Sequence, residues 1–227
     1  MPARRTGYIQ SVDSDGLLSV ARAHDVIIRM AHGVGDFVIE STPLASVARQ
    51  APASPRDLAS TLAEPLNELY SISAFRTVQQ DAAFGVRQLV DIALKGLSPG
   101  VNDTATAVTA VDYLAGVLVR LARRRIVTPI RADDGVPRVI ACGPTFESLV
   151  STAFDEIRRD AESSPTVLTR LLGALDAIGE QTRDADRRQV LREHVRLVRL
   201  AAERGVNAPE DLAALVRHAG DVARRLA

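Results

Sequence analysis

The chain has 227 residues, enough for one large domain or for a small domain followed by a larger one. Hydrophobic residues make up 46% of the sequence but aromatic residues only 4%, so the core must consist of Leu, Val, Ile and Ala, which favours helix packing over a β-sandwich. The 28 basic and 28 acidic residues cancel, so the net charge provides no long-range attraction to nucleic acid or to anionic lipid.

Cys142 is the single cysteine, which excludes an intramolecular disulfide and a zinc site built from several cysteines. A lone thiol fits a reducing compartment, so we expect a cytoplasmic location. Arg4 and Arg5 are not followed by the apolar stretch that a signal peptide requires. Because no uninterrupted apolar run reaches about 18 residues, we expect the chain to be soluble.

Residues 1–50 are predicted to form a small β-containing module. Residues 7–13 alternate between apolar and polar side chains, as a half-buried strand does. The elements predicted after it are a short helix at 15–23, a turn at 33–36, and strands at 26–29, 37–39 and 44–47. This order is similar to the hammerhead or barrel modules of biotinyl and lipoyl carriers, which present a lysine at a hairpin tip. Because the module contains no lysine, we interpret it as a docking or assembly element.

Residues 51–227 are predicted to form a helical bundle domain. A linker at residues 50–55 is predicted to precede its first helix. Its first helix is predicted to begin at Ser54 and Pro55 and to be kinked or broken at Pro65. Further helices are predicted at 81–95, 103–124 and 184–204, and after the capping residues Thr145, Ser164 and Asn207. A β-hairpin is predicted near residues 127–142. The predicted fold is mainly α: a multi-helix bundle with a small N-terminal β-containing module and one β-hairpin insertion.

The sequence contains no familiar catalytic or cofactor-binding motif. None of the four histidines lies three or four residues from another, so no pair of metal ligands on one helix face is predicted. His194 falls on an apolar stripe and is interpreted as a core or interface residue. Cys142 precedes a helix start, where a thiolate can be stabilised, but no base is evident, so a structural thiol is preferred over a nucleophile. No cofactor and no metal are predicted.

One segment carries more polar groups than packing requires. Arg87 and Asp91 are four residues apart, so they share one helix face and can pair. Residues 98–100, Ser-Pro-Gly, end that helix abruptly, and Asn102 or Asp103 then caps the next helix. The sequence therefore predicts a helix, a sharp corner and a second helix.

The polar groups at this corner are the candidate site. The predicted ligand-binding or structural-latch residues are Arg87, Asp91, Ser98, Asn102, Asp103 and Thr104. Such a turn could hold an anion through backbone N–H groups or a cation through side-chain oxygens. It could equally be a tight connection between antiparallel helices, with the ion pair locking it from the side. Arg76, Gln80 and Asp81 lie just upstream and could enlarge a polar pocket in either case.

Several stretches around this site resemble the signature of a known family. They are residues 80–93 (Gln-Asp-Ala-Ala-Phe-Gly-Val-Arg-Gln-Leu-Val-Asp-Ile-Ala), 97–103 (Leu-Ser-Pro-Gly-Val-Asn-Asp) and 106–107 (Thr-Ala). Residues 7–10, 35–38 and 43–44 resemble the start of the same family's soluble portion. The family is that of predicted membrane proteins catalogued as domain of unknown function 2254, and the resemblance spans most of the chain. Thr104 stands where the family's Asn-Asp is typically followed by proline.

The resemblance implies transmembrane helices preceding this soluble part, and no established activity. The chain is then either an excised domain or a stand-alone member without the membrane anchor. The partners expected are further copies of the chain, as a homo-oligomer, and a membrane-protein partner or a missing N-terminal transmembrane region. In full-length relatives the domain would be membrane-associated.

Three functions fit the sequence. The first is a non-catalytic assembly or sensing domain that self-associates through helix faces beside a channel or transporter. The second is an enzyme or binding protein for a small polar or anionic ligand, in which Arg87 holds an anion and Asp91 or Asp103 acts as acid or base. The third, a peripheral membrane module, ranks last because the polar helix faces mix acidic and basic residues.

Overall fold

The computed structural model describes residues 1–49, 55–124 and 129–227, and for residues 55–60 it describes the backbone alone. Eight α-helices lie in these residues. The predicted mainly α fold with small sheets in the N-terminal region is confirmed. The predicted linker, as far as residue 54, and its capping residue Ser54 lie outside the described residues, as do the first two residues of the predicted hairpin.

The chain divides into two compact units. The first comprises Met1–Phe84 and Val127–Gly143, and the second comprises Gly85–Ile126 and Pro144–Ala227. The hairpin near residues 127–142 thus belongs by its contacts to the first unit. The domain boundary predicted between residues 50 and 51 stays a prediction.

The first unit contains two small β-sheets and two helices in its described residues. Its elements are β1 (Gly7–Val12), α1 (Ser14–Ala23), β2 (Val26–Met30), β3 (Phe37–Val38), β4 (Ala45–Arg49), α2 (Pro55–Glu68), β5 (Tyr70–Ser73), β6 (Ile130–Asp133) and β7 (Val136–Ile140). One sheet has the order β3-β1-β5 with antiparallel pairs. The other has the order β4-β2-β7-β6, in which β2 and β7 run parallel and the other pairs antiparallel.

The two sheets share one apolar core with α1 and α2. Its largest fully buried side chains are those of Ile9, Leu17, Ile28, Leu44, Leu62 and Leu66. Helix α1 begins after Asp13, whose carboxylate accepts hydrogen bonds from the N–H groups of Asp15 and Gly16. Pro65 lies inside α2, which continues to Glu68, so the helix is not broken there.

The second unit is a bundle of helices. They are α3 (Ala82–Leu97), whose first three residues belong to the first unit, α4 (Thr104–Ala122), α5 (Phe146–Asp160), α6 (Pro165–Gly179), α7 (Ala185–Gly205) and α8 (Pro209–Arg225). Helix α6 lies at the centre, because it packs against α4, α5, α7 and α8. The apolar side chains buried in the described part of this unit are aliphatic apart from Phe146 and Phe154, as the composition predicts.

Three helix starts in this unit test the predicted caps. Thr145 and Ser148 form a reciprocal capping box at α5, as predicted for Thr145. Helix α6 begins at Pro165 as predicted, but Ser164 makes no side-chain cap hydrogen bond. The prediction that Asn207 caps α8 is wrong: Ala208 is the N-cap and Pro209 is the first helical residue. Proline at that position has its φ preset for a helix and no N–H to satisfy, so a side-chain cap matters less.

Helices α4 and α6 run parallel and in register. Arg170 donates to Asp112 through two nitrogens, and Arg123 donates to Gln181 at 2.9 Å, so both contacts join residues 58 apart in sequence. Among the described residues, α4 is the one helix long and apolar enough to cross a membrane by length and composition. Core helices of soluble proteins meet the same test, and the inner stripe of α4 packs in this bundle.

Candidate functional site

Arg87 and Asp91 form the ion pair that their spacing predicts. Arg87 Nε donates to Asp91 Oδ1 at 2.7 Å along the outer side of α3. The same guanidinium also forms a two-pronged contact with the carboxylate of Glu156 on α5, in which Nη2 lies 3.1 Å from Oε2. These hydrogen bonds raise the pKa of Arg87 and hold the pKa of Glu156 below its ordinary value. Arg87 therefore ties α3 to α5.

The corner after α3 is closed by backbone hydrogen bonds. The carbonyl of Ser98 accepts from the N–H groups of Val101 and Asn102, at 3.0 and 2.9 Å, and the Ser98 hydroxyl donates to the carbonyl of Lys95. Asn102 adopts a positive φ of 47°, a conformation that asparagine tolerates better than most residues. The N–H of Asp103 then donates to the carbonyl of Gly96 at 2.7 Å. The predicted sharp corner is present.

Asp103, not Asn102, caps α4. Its Oδ1 accepts from the N–H of Thr106 at 3.0 Å, and its Oδ2 accepts from the Thr106 hydroxyl at 2.6 Å. These two hydrogen bonds hold the pKa of Asp103 below its ordinary value. Thr104 is the first residue of α4 and is half-buried. Both oxygens of the exposed carboxylate are thus engaged by the helix that it starts.

The predicted site residues separate into two groups. Arg87 and Asp91 belong to the tie with Glu156, whereas Ser98, Asn102, Asp103 and Thr104 belong to the corner. Within the described second unit, no hydrogen bond or ion pair joins the side chains of one group to those of the other. The role of these residues as a ligand site or a latch stays a prediction.

The first unit contains a polar cluster that the sequence predicted only in part. Asp81 is buried, with 4% of its surface exposed, and its Oδ2 accepts from Nε and Nη2 of Arg76 at 2.9 and 2.8 Å. Its Oδ1 accepts from the N–H of Phe84 at 2.9 Å, and the Arg76 guanidinium lies 4.9 Å from the centre of the Phe84 ring. Gly35 packs directly against this pair, and we call Gly35, Arg76, Asp81 and Phe84 the Asp81 clasp.

Gly35 makes the Asp81 clasp possible. A Cβ atom at this position would lie 2.4 Å from Asp81 Oδ2 and 2.7 Å from Arg76 Nη2, and φ is +91°. The sequence contained a signal for this contact, since the Gly35-Asp36 and Gln80-Asp81 dipeptides both belong to stretches that resemble the same family. Because the two dipeptides are more than 40 residues apart, no local sequence pattern indicates that they are in contact.

His194 forms a second buried polar cluster, between α5 and α7. Its Nε2 lies 3.4 Å from the hydroxyl of Ser151, and its Nδ1 lies 3.7 Å from Oδ1 of Asp155. Arg158 is also buried and lies 3.4 Å from Asp155. These residue types occur in hydrolase triads, but both histidine distances exceed the roughly 2.6–3.2 Å expected between nucleophile and base. The cluster is therefore best described as a buried polar contact between two helices, in agreement with the core position predicted for His194.

The buried imidazole predicts a pH-dependent stability. Burial lowers the pKa of His194 below its ordinary value of 6.5, and Arg158 acts in the same direction, whereas Asp155, Glu193 and Glu147 oppose the shift. The unfolded chain therefore binds the proton more readily. Stability is fully present above pH 6.5 and is expected to fall as the pH drops from 6.5 towards the lower folded pKa.

Urea denaturation at pH 7.5 and pH 5.5, followed by far-ultraviolet circular dichroism, measures this loss. The variant His194→Gln should lose part of the difference between the two pH values, and His218→Gln on α8 serves as the matched control. An equal pH dependence in the wild-type chain and in His194→Gln would contradict the prediction.

Cys142 lies at the edge of an open cavity of about 440 Å³ in the first unit. Arg29 and Ser46 contribute polar groups to the lining, which is otherwise mostly apolar and contains neither histidine nor carboxylate. The thiol of Cys142 is exposed, and its role stays a prediction. Among the described residues, no group of three or more His, Cys, Asp or Glu side chains is placed to hold a metal ion.

The chain resembles proteins of one family over most of its length. The family described as Predicted membrane protein (DUF2254) matches residues 1–177. Uncharacterized protein Rv1290c of Mycobacterium tuberculosis and Uncharacterized protein Mb1321c of Mycobacterium bovis are each 34% identical to the chain over 205 residues. The matched region covers 89% of this chain and 39% of each relative, so the chain spans about two fifths of the length of the curated relatives it matches. No solved structure matches it significantly.

Proposed function

The chain belongs to the DUF2254 family of predicted membrane proteins, and on that premise we propose that it is a non-catalytic assembly domain that associates with further copies of itself. The domain would act beside the membrane-embedded part of the family's proteins and on the cytoplasmic side. The exposed, unpaired thiol of Cys142 is compatible with that reducing compartment.

The proposal is supported by the structural role of the predicted site residues. Arg87 joins α3 to α5, and Asp103 starts α4 after the corner. Both charged groups thus set the arrangement of three neighbouring helices. Charged side chains that are occupied in holding helices together favour a domain that presents a binding surface over a domain that catalyses a reaction.

The ligand-binding alternative fits these contacts less well. Two carboxylates, from Asp91 and Glu156, already bind the guanidinium of Arg87. An anion would have to displace one carboxylate and approach the other, which is electrostatically unfavourable. One of the backbone N–H groups at the start of α4 that an anion would use, that of Thr106, already donates to Asp103.

Asp103→Ala distinguishes the two functions. If Asp103 is a cap, the variant loses two hydrogen bonds and its melting temperature should fall by roughly 2–4 °C. Asp103→Ser, which keeps a side-chain acceptor at the N-cap, should recover most of the loss. Differential scanning calorimetry of the three chains makes the measurement.

The ligand-binding alternative predicts a different outcome, which requires Arg87→Ala as a further variant. Inorganic phosphate at millimolar concentration would then raise the melting temperature of the wild-type chain and not that of Arg87→Ala. An unchanged melting temperature in Asp103→Ala, together with such a phosphate effect, would overturn the proposal. Sedimentation equilibrium of the wild-type chain tests self-association directly, and a monomer at about 100 μM would refute that part, since it places the dissociation constant well above the micromolar range.

A further inference from the structure

The solvent side of α4 is unusually apolar for an exposed helix face. Tyr113 is 66% exposed and Val117 is 41% exposed, and Gly116 lies between them. The same side carries Asp112 and, one turn beyond Val117, Arg120. We call these five residues the α4 outer face.

Gly116 has no evident role within one copy of the chain. A glycine in a helix interior costs about 1 kcal/mol relative to alanine. A Cβ atom at Gly116 would meet no atom within 4 Å, so packing in the second unit does not require glycine there. Gly96 on α3 provides the contrast, because a Cβ atom there would lie 2.9 Å from the carbonyl oxygen of Asp103. Because Gly116 has no side chain, the backbone of α4 is exposed there and accessible to another molecule.

The neighbouring helix repeats this feature at the same height. Because α4 and α6 run in register with an offset of 58 residues, Gly116 stands level with residue 174. Gly173 lies next to that position, and a Cβ atom there would also meet nothing within 4 Å. Two adjacent helices thus each carry, at a similar level, a glycine that their own packing does not require.

The charges of the α4 outer face are arranged symmetrically about Gly116. Asp112 lies four residues before it and Arg120 four residues after it. If two copies of α4 cross antiparallel at Gly116, each Asp112 faces the Arg120 of the other copy, and the contact occurs twice. Arg120 makes no ion pair within the described residues, whereas Asp112 already binds Arg170 and retains lone pairs for a second cation.

We infer that the α4 outer face is the interface between two copies of this chain, packed antiparallel about a two-fold axis at Gly116. The inference rests on the proposed self-association and specifies its surface. A symmetric contact of this kind closes as a dimer. A lipid surface fits the face less well, because Asp112 and Arg120 would have to be buried in hydrocarbon.

Charge reversal tests the interface with a matched control. Arg120→Asp places two carboxylates on each copy of the face, so like charges meet and the dimer dissociation constant should rise at least about tenfold. Arg217→Asp changes the charge equally on the exposed side of α8 and should leave the constant unchanged. Sedimentation equilibrium of each full chain provides the constants, and circular dichroism verifies that each folds.

Mixing two variants gives a stricter test. The D112R chain loses the ion pair with Arg170 and carries two cations on the α4 outer face, whereas the R120D chain carries two carboxylates, so neither should self-associate. Circular dichroism verifies that both variants are folded before they are mixed. An equimolar mixture should form a heterodimer, because every cross-contact then joins opposite charges. A mixture that stays monomeric would overturn the interface.

Gly116→Leu separates the interface from folding. Leucine favours the helix, and a Cβ atom at this exposed position meets nothing within 4 Å, so the melting temperature of the dilute monomer should not fall. The dimer should nonetheless weaken at least about tenfold, because the two backbones can no longer approach.

The outcomes distinguish this inference from the proposed function. A wild-type dimer that Arg120→Asp and Gly116→Leu leave intact overturns the α4 interface and leaves self-association standing. A monomeric wild-type chain overturns both. A monomer that floats with phosphatidylcholine–phosphatidylglycerol vesicles, with loss of flotation in Val117→Asp, would assign the face to the membrane and also overturn the interface.

Discussion

Gly35→Ala is expected to destabilise the first unit by about 3–5 kcal/mol, because it combines backbone strain with disruption of a buried ion pair. The φ of +91° is unfavourable for any residue with a Cβ atom, and that atom would overlap Oδ2 of Asp81. Asp81 cannot move aside without leaving its hydrogen bonds to Arg76 and Phe84. A loss of this size is a large share of the 5–15 kcal/mol typical of a domain.

Gly143→Ala is the matched control in the same unit. A Cβ atom at Gly143 would meet nothing within 4 Å, and its φ is not positive, so stability should change by less than about 0.5 kcal/mol. Urea denaturation followed by circular dichroism compares both variants with the wild-type chain. Equal midpoints for Gly35→Ala and Gly143→Ala would show that the Asp81 clasp tolerates a methyl group, contrary to the structure.

Asp81→Ala is expected to have the second large effect, also about 3–5 kcal/mol. The change removes the acceptor of two Arg76 hydrogen bonds and leaves a guanidinium that is only about one quarter exposed without its counter-charge. It also removes the acceptor for the N–H of Phe84 at the start of α3. Urea denaturation gives the change in unfolding free energy.

Two further variants divide that effect into its parts. Asp81→Asn keeps an oxygen for the Phe84 N–H and should be less destabilised than Asp81→Ala by about 1 kcal/mol. Asp91→Ala removes an equally charged carboxylate that is also paired with an arginine, but on an exposed helix face. Its cost should stay below about 1 kcal/mol, as for most surface ion pairs. Similar losses in Asp81→Ala and Asp91→Ala would contradict the role assigned to burial.

Local patterns predicted the helices well, because a helix is specified by residues three and four apart. The stripes of α4 and α5 and the cap of α5 are examples. Strand β5 was missed, since Tyr70–Ser73 is short and its partner β1 lies about 60 residues earlier. The parallel pairing of β2 with β7 was missed for the same reason, as no spacing rule links residues so far apart.

The candidate site shows the same limit. The Arg87–Asp91 pair follows from a spacing of four residues, whereas Glu156, which completes the contact, lies 69 residues away. Asp103 was one of two predicted caps, and the hydrogen bonds that its carboxylate accepts from Thr106 decide between them. The Asp81 clasp depends on contacts between Gly35 and residues 76–84. Both stretches stand out in the sequence, but no local pattern indicates that they are in contact.

The position of β7 inside its sheet has a consequence for synthesis on the ribosome. Ile28 of β2 is fully buried and pairs with Val139, a residue that emerges about 110 residues later. Until then β2 offers an open strand edge, the kind of surface that pairs wrongly with other chains. The nascent sheet must therefore stay incomplete while α3 and α4 are made, and a fragment truncated at residue 84 would keep that edge permanently.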